Sequence, residues 1–469
     1  TAMADELISN IYRCVAADFP TQGKACSAVI ALGGYGRAEL NPLSDIDVLF
    51  YCSDQNKDLA EKIAERILYL LWDLKLDIGY SVRTGSDCLA LAQQDITIRT
   101  AMMDRRFLAG DEVLFDEFER QVLQNLLNRN SQSFLKAKYE EHEARLSKYG
   151  SSVYMLEPNI KEGEGGLRDL HTAVWMARVK FKANGLRDLL KKGVITDNEF
   201  LEIEDAYDYL FRIRNELHFQ SNRKTDQLQY ENQETIAAFL GYKDSKKALS
   251  VEQFMQDYYA QANLTEHLAS TLIAKAYKAK ETSTGLLGYL GRRSLGDNFF
   301  SYRGELKTAR KNLFVDRPEA MMQAFLLAKQ NTLGLSPDVK GQLRDNLQLV
   351  NDAFRRNREI SAMFLEILRG PTGVAQSLRD MHHLGFLNKY IPEFKRISCK
   401  VQHDAYHVYT VDIHSIFAVA EIEKLWSGVY REKKPLLTRV AADIGKPELV
   451  ILAVLFHDIG KGEGKDHSN

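Results

Sequence analysis

The segment Gly33-Gly34-Tyr35-Gly36-Arg37-Ala38-Glu39-Leu40-Asn41-Pro42-Leu43-Ser44-Asp45-Ile46-Asp47-Val48 constrains this chain more than any other, because it sets a glycine turn and two carboxylates between two apolar runs. The first run, Ala28 to Leu32, reads as a buried strand. Gly33, Gly34 and Gly36 then permit a tight turn whose backbone N–H groups can face an anion. Ile46 to Tyr51 reads as a second strand. Side chains alternate along a strand, so Asp45 and Asp47 share a face and stand roughly 6–7 Å apart along the backbone. Carboxylates so placed suit a shared divalent metal, Mg²⁺ or Mn²⁺, which takes carboxylates, waters and phosphate oxygens together. The pattern implies in-line phosphoryl transfer from a nucleoside triphosphate. Gly33, Gly34, Gly36, Arg37 and Ser44 are its candidate nucleotide contacts, and Asp45 and Asp47 its candidate catalytic metal ligands.

These residues, in this order between two strands, resemble the DNA polymerase beta-like nucleotidyltransferase superfamily. That family's usual Gly-Ser pair stands here as Gly33-Gly34, so backbone N–H groups replace the hydroxyl. The resemblance implies a third carboxylate on a later strand. Leu59, Ile63, Ile67, Leu71 and Leu74 recur at helical spacing, and Asp77 to Arg83 then alternates as a strand. Ile78, Tyr80 and Val82 are expected to face the core, with Asp77, Gly79, Ser81 and Arg83 opposite. Asp77 is therefore the candidate third catalytic carboxylate. Gly79 stands where related transferases carry theirs, and Asp95 and Asp104 compete for that role, the alternative for each being a solvated helix or loop charge.

At 469 residues the chain has room for about three domains of ordinary size. Its 45% hydrophobic and 27% charged residues, with only 9 prolines, fit a helix-rich globular protein rather than long disordered linkers. Lys plus Arg number 62 against 64 Asp plus Glu, so no global basic footprint marks nucleic acid as a partner. The five cysteines are odd in number and lack ligand spacing, which fits reduced thiols and a cytoplasmic location. No basic-then-apolar secretion signal opens the sequence. Leu449 to Phe456 falls far short of the ~20 apolar residues that span a bilayer, so no membrane partner is expected, and it reads as a buried helix.

The fold class expected is α+β and mostly helical: a small mixed-sheet nucleotidyltransferase domain over 1–130, a helical domain over 131–280 packing on it, a helical connecting region over 281–375, and the start of an all-α domain over 376–469. Gln132 to Tyr149 reads as a connecting helix, and Glu157 to Gly166 as the clearest loop. The Gly165-Gly166 pair before the next helix start could offer N–H groups to phosphate, though an ordinary helix start is favoured. Phe200, Ile203, Tyr207, Leu210 and Leu217 form a helical stripe. Arg214, His218, Arg223 and Asp226 beside it fit structural pairing better than nucleotide contact. Glu281 to Gly370 continues in helical patterns broken by glycine and proline.

Histidines concentrate near the end: His403, His407 and His414, then His457-Asp458 after an apolar run, Lys461 and His467. Imidazole with carboxylate suits Mn, Fe, Zn or Mg and the activation of water against a phosphodiester. This resembles an HD phosphohydrolase domain. The resemblance implies His414, His457 and Asp458 as ligands of a divalent metal, with Lys461 and His467 as phosphate or second-metal contacts. That family's further aspartate on a later helix has no counterpart before Asn469.

The transferase motif, Asn159-Ile160-Lys161-Glu162, Gly165-Gly166-Leu167-Arg168-Asp169-Leu170-His171 and His407-Val408-Tyr409-Thr410-Val411-Asp412 follow in that order. Together they resemble the bacterial PII uridylyltransferase/uridylyl-removing family, over roughly its N-terminal half. The resemblance implies UMP transfer from UTP to a tyrosine of the PII nitrogen-signalling protein, and hydrolytic removal by the HD domain. Two glutamine-sensing ACT domains of full-length members have no counterpart here. PII adenylyltransferases that use ATP share these motifs. A tRNA nucleotidyltransferase would carry an Arg-Arg-Asp element where this chain has Arg105-Arg106-Phe107, and a non-catalytic nucleotide-binding scaffold is the remaining alternative.

Overall fold

The computed structural model describes residues 1–19, 26–149, 152–245, 249–278, 292–296, 298–400 and 410–463. The chain divides into two compact units, one made of 1–151, 159–232 and 264–279, the other of 152–158, 233–263 and 280–469.

The first unit is built on a four-stranded mixed sheet ordered β3-β2-β1-β4. Its strands are β1 (Ser27–Leu32), β2 (Ile46–Cys52), β3 (Ile78–Arg83) and β4 (Arg105–Gly110). β1 runs antiparallel to β2 and β4, while β3 lies parallel to β2. All of β1 is buried because both faces of the sheet are covered. Val29 and Ala31, with Val48 and Phe50 of β2, pack in a core shared with helices Ala2–Ala17 and Lys57–Asp73. Ala28, Ile30 and Leu32, with Leu49 and Tyr51, pack on the opposite side with Trp175, Met176 and Val179 of helix Leu167–Phe181. Period-two alternation thus assigns Asp45 and Asp47 to the face of Leu49 and Tyr51, toward the later helices.

Helix Lys57–Asp73 buries Ile63, Ile67 and Leu71 as its stripe requires. Two neighbouring expectations are corrected: Leu74 is the helix C-cap and exposed, and Tyr80 is half exposed rather than in the core. β3 is an edge strand whose outer end is left open, and Tyr80 meets the Trp72 ring there, centroids 6.4 Å apart. Helices Ser131–Tyr149, Leu167–Phe181 and Asp197–Ser221 follow the patterns read for them.

The second unit contains a feature that the helical patterns of 281–370 do not suggest. Four short strands, β5 (Arg293–Ser294), β6 (Phe299–Tyr302), β7 (Glu305–Thr308) and β8 (Gly334–Leu335), form a second sheet. Strands of two to four residues are too short for alternation to register against helical periodicity. Helices from Ala320 onward then pack around Phe325 and Phe386, whose centroids are 5.0 Å apart. In the last helical group Asp412, fully buried at the start of helix Val411–Trp426, accepts from His382 Nε2 at 2.7 Å and from the Cys399 N–H at 2.9 Å. Helix Pro447–Phe456 is not buried all round as expected. Only Ile451 and Leu455 are buried, because it packs with one side on helices Arg358–Leu368 and Val411–Trp426. Among the described residues no helix is long and apolar enough to cross a membrane.

Gly36 carries the tightest constraint in the first sheet. A Cβ there would lie 2.1 Å from the Asp104 carbonyl oxygen and 2.8 Å from that of Ala31, both rigid backbone. Gly36→Ala is expected to destabilise the chain by about 1–3 kcal/mol, as overpacking does. Gly185→Ala, with nothing within 4 Å of the new methyl, should stay within about 0.5 kcal/mol of the parent. Chemical denaturation of both variants checks the contrast, and equal midpoints would remove the constraint assigned to Gly36.

Candidate active site

β1 ends in a single helical turn, Gly33–Gly36, entered through Gly33 at φ +57°, a left-handed conformation that glycine adopts without strain. Gly33, Gly34, Arg37, Ser44, Asp45 and Asp47 all line one cavity of about 440 Å³. Gly36 is not in its lining; its role is the close approach to Asp104.

Asp47 is opposite Gly79 in the β2/β3 register. A Cβ on Gly79 would lie 2.4 Å from Asp47 Oδ1, so the glycine leaves room for the carboxylate to lean over β3. Burial, and then the charge of Asp45, push the Asp47 carboxyl above its usual range. Partial burial acts on Asp45 in the same direction, but the bonded ammonium of Lys224 outweighs it and holds this carboxyl low. Two oxygen donors on one strand face beside a phosphate-sized cavity fit a hard divalent cation. Asp77 precedes β3, where the register extended by one residue sets it level with Asp45. It is exposed and outside the cavity lining, yet its charge contributes to the upward shift of Asp47.

The other two candidate carboxylates have structural work. Asp95 caps helix Ile96–Met103, accepting from the Thr97 and Ile98 N–H groups. Asp104 is buried rather than solvated, and its carboxylate accepts from Arg37 at 2.6 Å, Trp175 Nε1 at 2.7 Å and Arg178 at 2.7 Å. Arg37 also bonds Glu39, and Glu39 accepts from His171 Nε2 at 3.1 Å. Arg37, expected on a phosphate, thus faces the cavity with its guanidinium already divided between two carboxylates. Burial and the Arg37 charge push His171 down to about 4, leaving a neutral ring.

The loop carrying Ser44 and Asp45 is held from helix Asp197–Ser221. Arg214 donates to Asn41 Oδ1 and, at 2.7 Å, to Asp226; Asn41 Nδ2 donates to Asn215 at 2.6 Å; His218 Nδ1 donates to the Pro42 carbonyl at 2.6 Å. These bonds hold Leu43 at φ +59°, a costly conformation for a leucine. The structural pairing expected of Arg214, His218 and Asp226 is therefore present, and it secures the aspartate loop. Arg223 is exposed and has no part in it.

The cavity wall is rich in cations, which the sequence reading missed. Lys138, Arg145, Lys161, Arg168, Arg214 and Lys224 all line it. They come from four separate segments, so no local motif announces them; only the order of the later segments hinted that they belong together. The Gly165-Gly166 turn offers no anion site. The Gly165 N–H donates to Asp169, and those of Gly166, Leu167 and Arg168 donate to Gly163, Ile160 and Lys161 carbonyls. Arg105 and Arg106 are paired with Glu119 and Asp5, which leaves them unsuited to a polynucleotide backbone.

In the second unit potential ligand atoms of His414, His457 and Asp458, the set that the HD resemblance implies, all lie within 4.8 Å of one another. His457 Nδ1 donates to the Val454 carbonyl at 2.7 Å, which leaves Nε2 as the lone-pair nitrogen facing Asp458 at 3.2 Å. Burial opposes ionisation of Asp458, but Lys461, bonded at 2.8 Å, and His457 hold it below its usual range. Two imidazoles and one carboxylate fit a borderline divalent ion. Lys461 is thus bound to the Asp458 carboxylate, and His403, His407 and His467 lie outside the described residues.

Residues 133–273 match the family described as GlnD PII-uridylyltransferase, and residues 299–390 match the uridylyltransferase GlnD third domain. Similar relatives are bifunctional uridylyltransferase/uridylyl-removing enzymes. That of Azotobacter vinelandii is 36% identical over 94% of this chain and 49% of the relative. The Erythrobacter litoralis protein is 33% identical over 99% of this chain and 52% of the relative. For Azospirillum brasilense the values are 35%, 96% and 48%. The chain spans about half the length of the curated relatives it matches.

Gly79→Ala is expected to displace Asp47 without unfolding the sheet, weakening Mn²⁺ binding by about tenfold or more. Calorimetric titration with Mn²⁺ checks this, and unchanged affinity would remove the role given to Gly79. His171 titrates near 6.5 when unfolded and about 4 when folded, so the folded state binds fewer protons between those values. Its contribution to stability is full above about pH 6.5 and is lost as pH falls toward 4. His383, pushed to about 3 by burial, carries the same sign. Denaturation midpoints at pH 7, 5.5 and 4.5 should fall less steeply in His171→Gln than in the parent, about as estimated by linkage.

Proposed function

This chain belongs to the uridylyltransferase/uridylyl-removing family, and we propose that its first unit transfers UMP from UTP to a tyrosine hydroxyl of the PII signalling protein. The observation that carries the reading is the cavity that Asp45 and Asp47 line together with seven Lys and Arg side chains, Arg37 among them. Carboxylates opposite cations are what a metal-bound triphosphate requires, and phosphoryl transfer depends mainly on positioning and charge neutralisation. The acceptor tyrosine oxygen forms a bond to the α-phosphorus, the bond to the pyrophosphate oxygen breaks in line, and the tyrosine proton passes to solvent or a carboxylate.

Asp45 and Asp47 would hold Mg²⁺ or Mn²⁺, which supplies neutralisation of the transferring and leaving oxygens when bound. Lys224 exchanges its bond to Asp45 for a phosphate oxygen as nucleotide enters. Gly33 and Gly34 let the triphosphate approach the backbone, with Ser44 beside it. Arg37, in the cavity lining, orients Glu39 and the turn. Asp77 adds negative charge near Asp47 and is the remaining candidate for a third carboxylate.

The second unit supports the reverse half of the reading, hydrolysis of the tyrosyl–uridylyl phosphodiester. His414, His457 and Asp458 would hold a divalent metal that activates water when bound. Val454 fixes the His457 tautomer, and Lys461 keeps Asp458 ionised.

Intact mass of PII after incubation with this chain, Mg²⁺ and UTP tests the transfer, with ATP and CTP in parallel. A UMP-sized gain is expected from UTP alone, reduced by roughly 10²–10³-fold in rate in Asp47→Ala. An AMP-sized gain from ATP would reassign the nucleotide. Nucleotide binding without any gain would instead favour a scaffold.

A further inference from the structure

Loop 159–166 is held without slack. Asn159 Oδ1 accepts from the N–H groups of Lys161 at 3.2 Å and Glu162 at 2.7 Å, and the Ile160 N–H donates to the Asp226 carbonyl at 2.8 Å. A Cβ at Gly163 would lie 2.6 Å from the Asn159 carbonyl oxygen, and one at Gly166 2.7 Å from that of Ile160. With the N–H groups of Ile160 to Gly163, Gly165 and Gly166 bonded within the protein, this loop presents the cavity chiefly with side chains.

The six cations of the wall are not equivalent. Lys138 bonds Glu141 at 2.8 Å and lies over the Trp175 ring at 4.5 Å. Arg145 bonds Asp169, Arg168 bonds Glu162, Arg214 bonds Asp226 and Lys224 bonds Asp45. Lys161 differs. Among the described residues its ammonium makes no hydrogen bond, and its nearest carboxylate oxygen, on Glu162, is 3.9 Å away and already taken by Arg168. Its side chain is only 24% exposed. An ammonium has three donors, and withdrawing it from water without acceptors is costly unless a ligand supplies them. Asp45 lies within reach of its charge.

We propose that Lys161 is a substrate-binding residue of this cavity, its ammonium contacting the triphosphate oxygens directly while Lys138, Arg145, Arg168 and Arg214 keep their protein partners. This rests on reading the cavity as a nucleoside triphosphate site. The loop fixes the Lys161 backbone, and its ammonium acts on Asp45, so its contribution falls on the polyphosphate rather than on the nucleoside.

Calorimetric binding of UTP, UMP and inorganic tripolyphosphate to the full chain, with Mg²⁺ and without acceptor protein, tests this. Lys161→Gln is expected to weaken UTP and tripolyphosphate binding by about 10- to 100-fold, the range of a charge-assisted hydrogen bond, and UMP binding by less than about threefold. Lys161→Arg should recover most of the affinity, and thermal unfolding should show both variants folded as the parent. If Lys161→Gln binds UTP like the parent, or loses UTP and UMP alike, the assignment to Lys161 is wrong while the cavity reading stands. If the parent itself binds neither UTP nor tripolyphosphate, the cavity reading fails and the proposal with it. Should Lys161→Gln unfold, Lys161→Met, of similar length, serves in its place with the same expectations.

Discussion

The buried carboxylate of Asp104 joins the sheet to the helical half of the first unit. Its side chain is 2% exposed, and it takes hydrogen bonds from Arg37 after β1 and from Trp175 and Arg178 on helix Leu167–Phe181. A buried ion persists only when its partners satisfy it, and removing one partner strands the rest. Here one carboxylate faces two guanidinium groups, and the surplus positive charge continues through Arg37 to Glu39 and on to His171. The Asp104 carbonyl meanwhile closes on Gly36. The glycine turn that faces the cavity is therefore set by a contact behind it, and helix Leu167–Phe181 is held at the distance that lets its first turn contribute Arg168 and His171 to the wall.

The aspartate loop depends on a second anchor of the same kind. Leu43 at positive φ has no local reason to stay there, since leucine disfavours that region by sterics alone. Arg214, Asn215 and His218, spaced along one face of helix Asp197–Ser221, grip Asn41 and Pro42 immediately before it. Strain in the loop is thus maintained by bonds from a helix more than 150 residues away, and Ser44 and Asp45 emerge from it at a defined angle. Asp226 completes the anchor by pairing with Arg214 while its carbonyl receives the Ile160 N–H. The same residue therefore positions the metal-facing loop and the loop that carries Lys161.

This arrangement explains which parts were legible in the sequence. Glycines between apolar runs, and aspartates two residues apart, report on geometry set within a dozen residues, so the turn, β2 and the shared face of Asp45 and Asp47 could be read directly. The His457-Asp458 pair was legible for the same reason. Asp104 looked like a solvated charge because its partners lie 67, 71 and 74 residues away. Arg37 lines the cavity as a nucleotide contact would, but that Glu39 and Asp104 share its guanidinium could not be seen in the sequence. Strands β5 to β8 are too short to impose a period of two, and Tyr80 failed as a core residue because nothing in an alternating pattern distinguishes an edge strand from a central one.

The two metal-fitting sites also differ in a way that suits opposite reactions. Asp45 and Asp47 offer oxygen alone, at the mouth of a cavity with abundant positive charge, where a hard cation arrives with the phosphates it neutralises. His414, His457 and Asp458 offer two nitrogens and one oxygen, with one imidazole fixed by a backbone carbonyl and the carboxylate kept ionised by Lys461. Nitrogen ligands suit a borderline ion, and an ion held there would lower the pKa of a water bound to it. A cation that arrived with the nucleotide would suit transfer to a protein hydroxyl, and a cation held by His414, His457 and Asp458 alone would suit hydrolysis. Donor chemistry alone therefore separates the two halves of the proposed cycle, independently of any signal that regulates them.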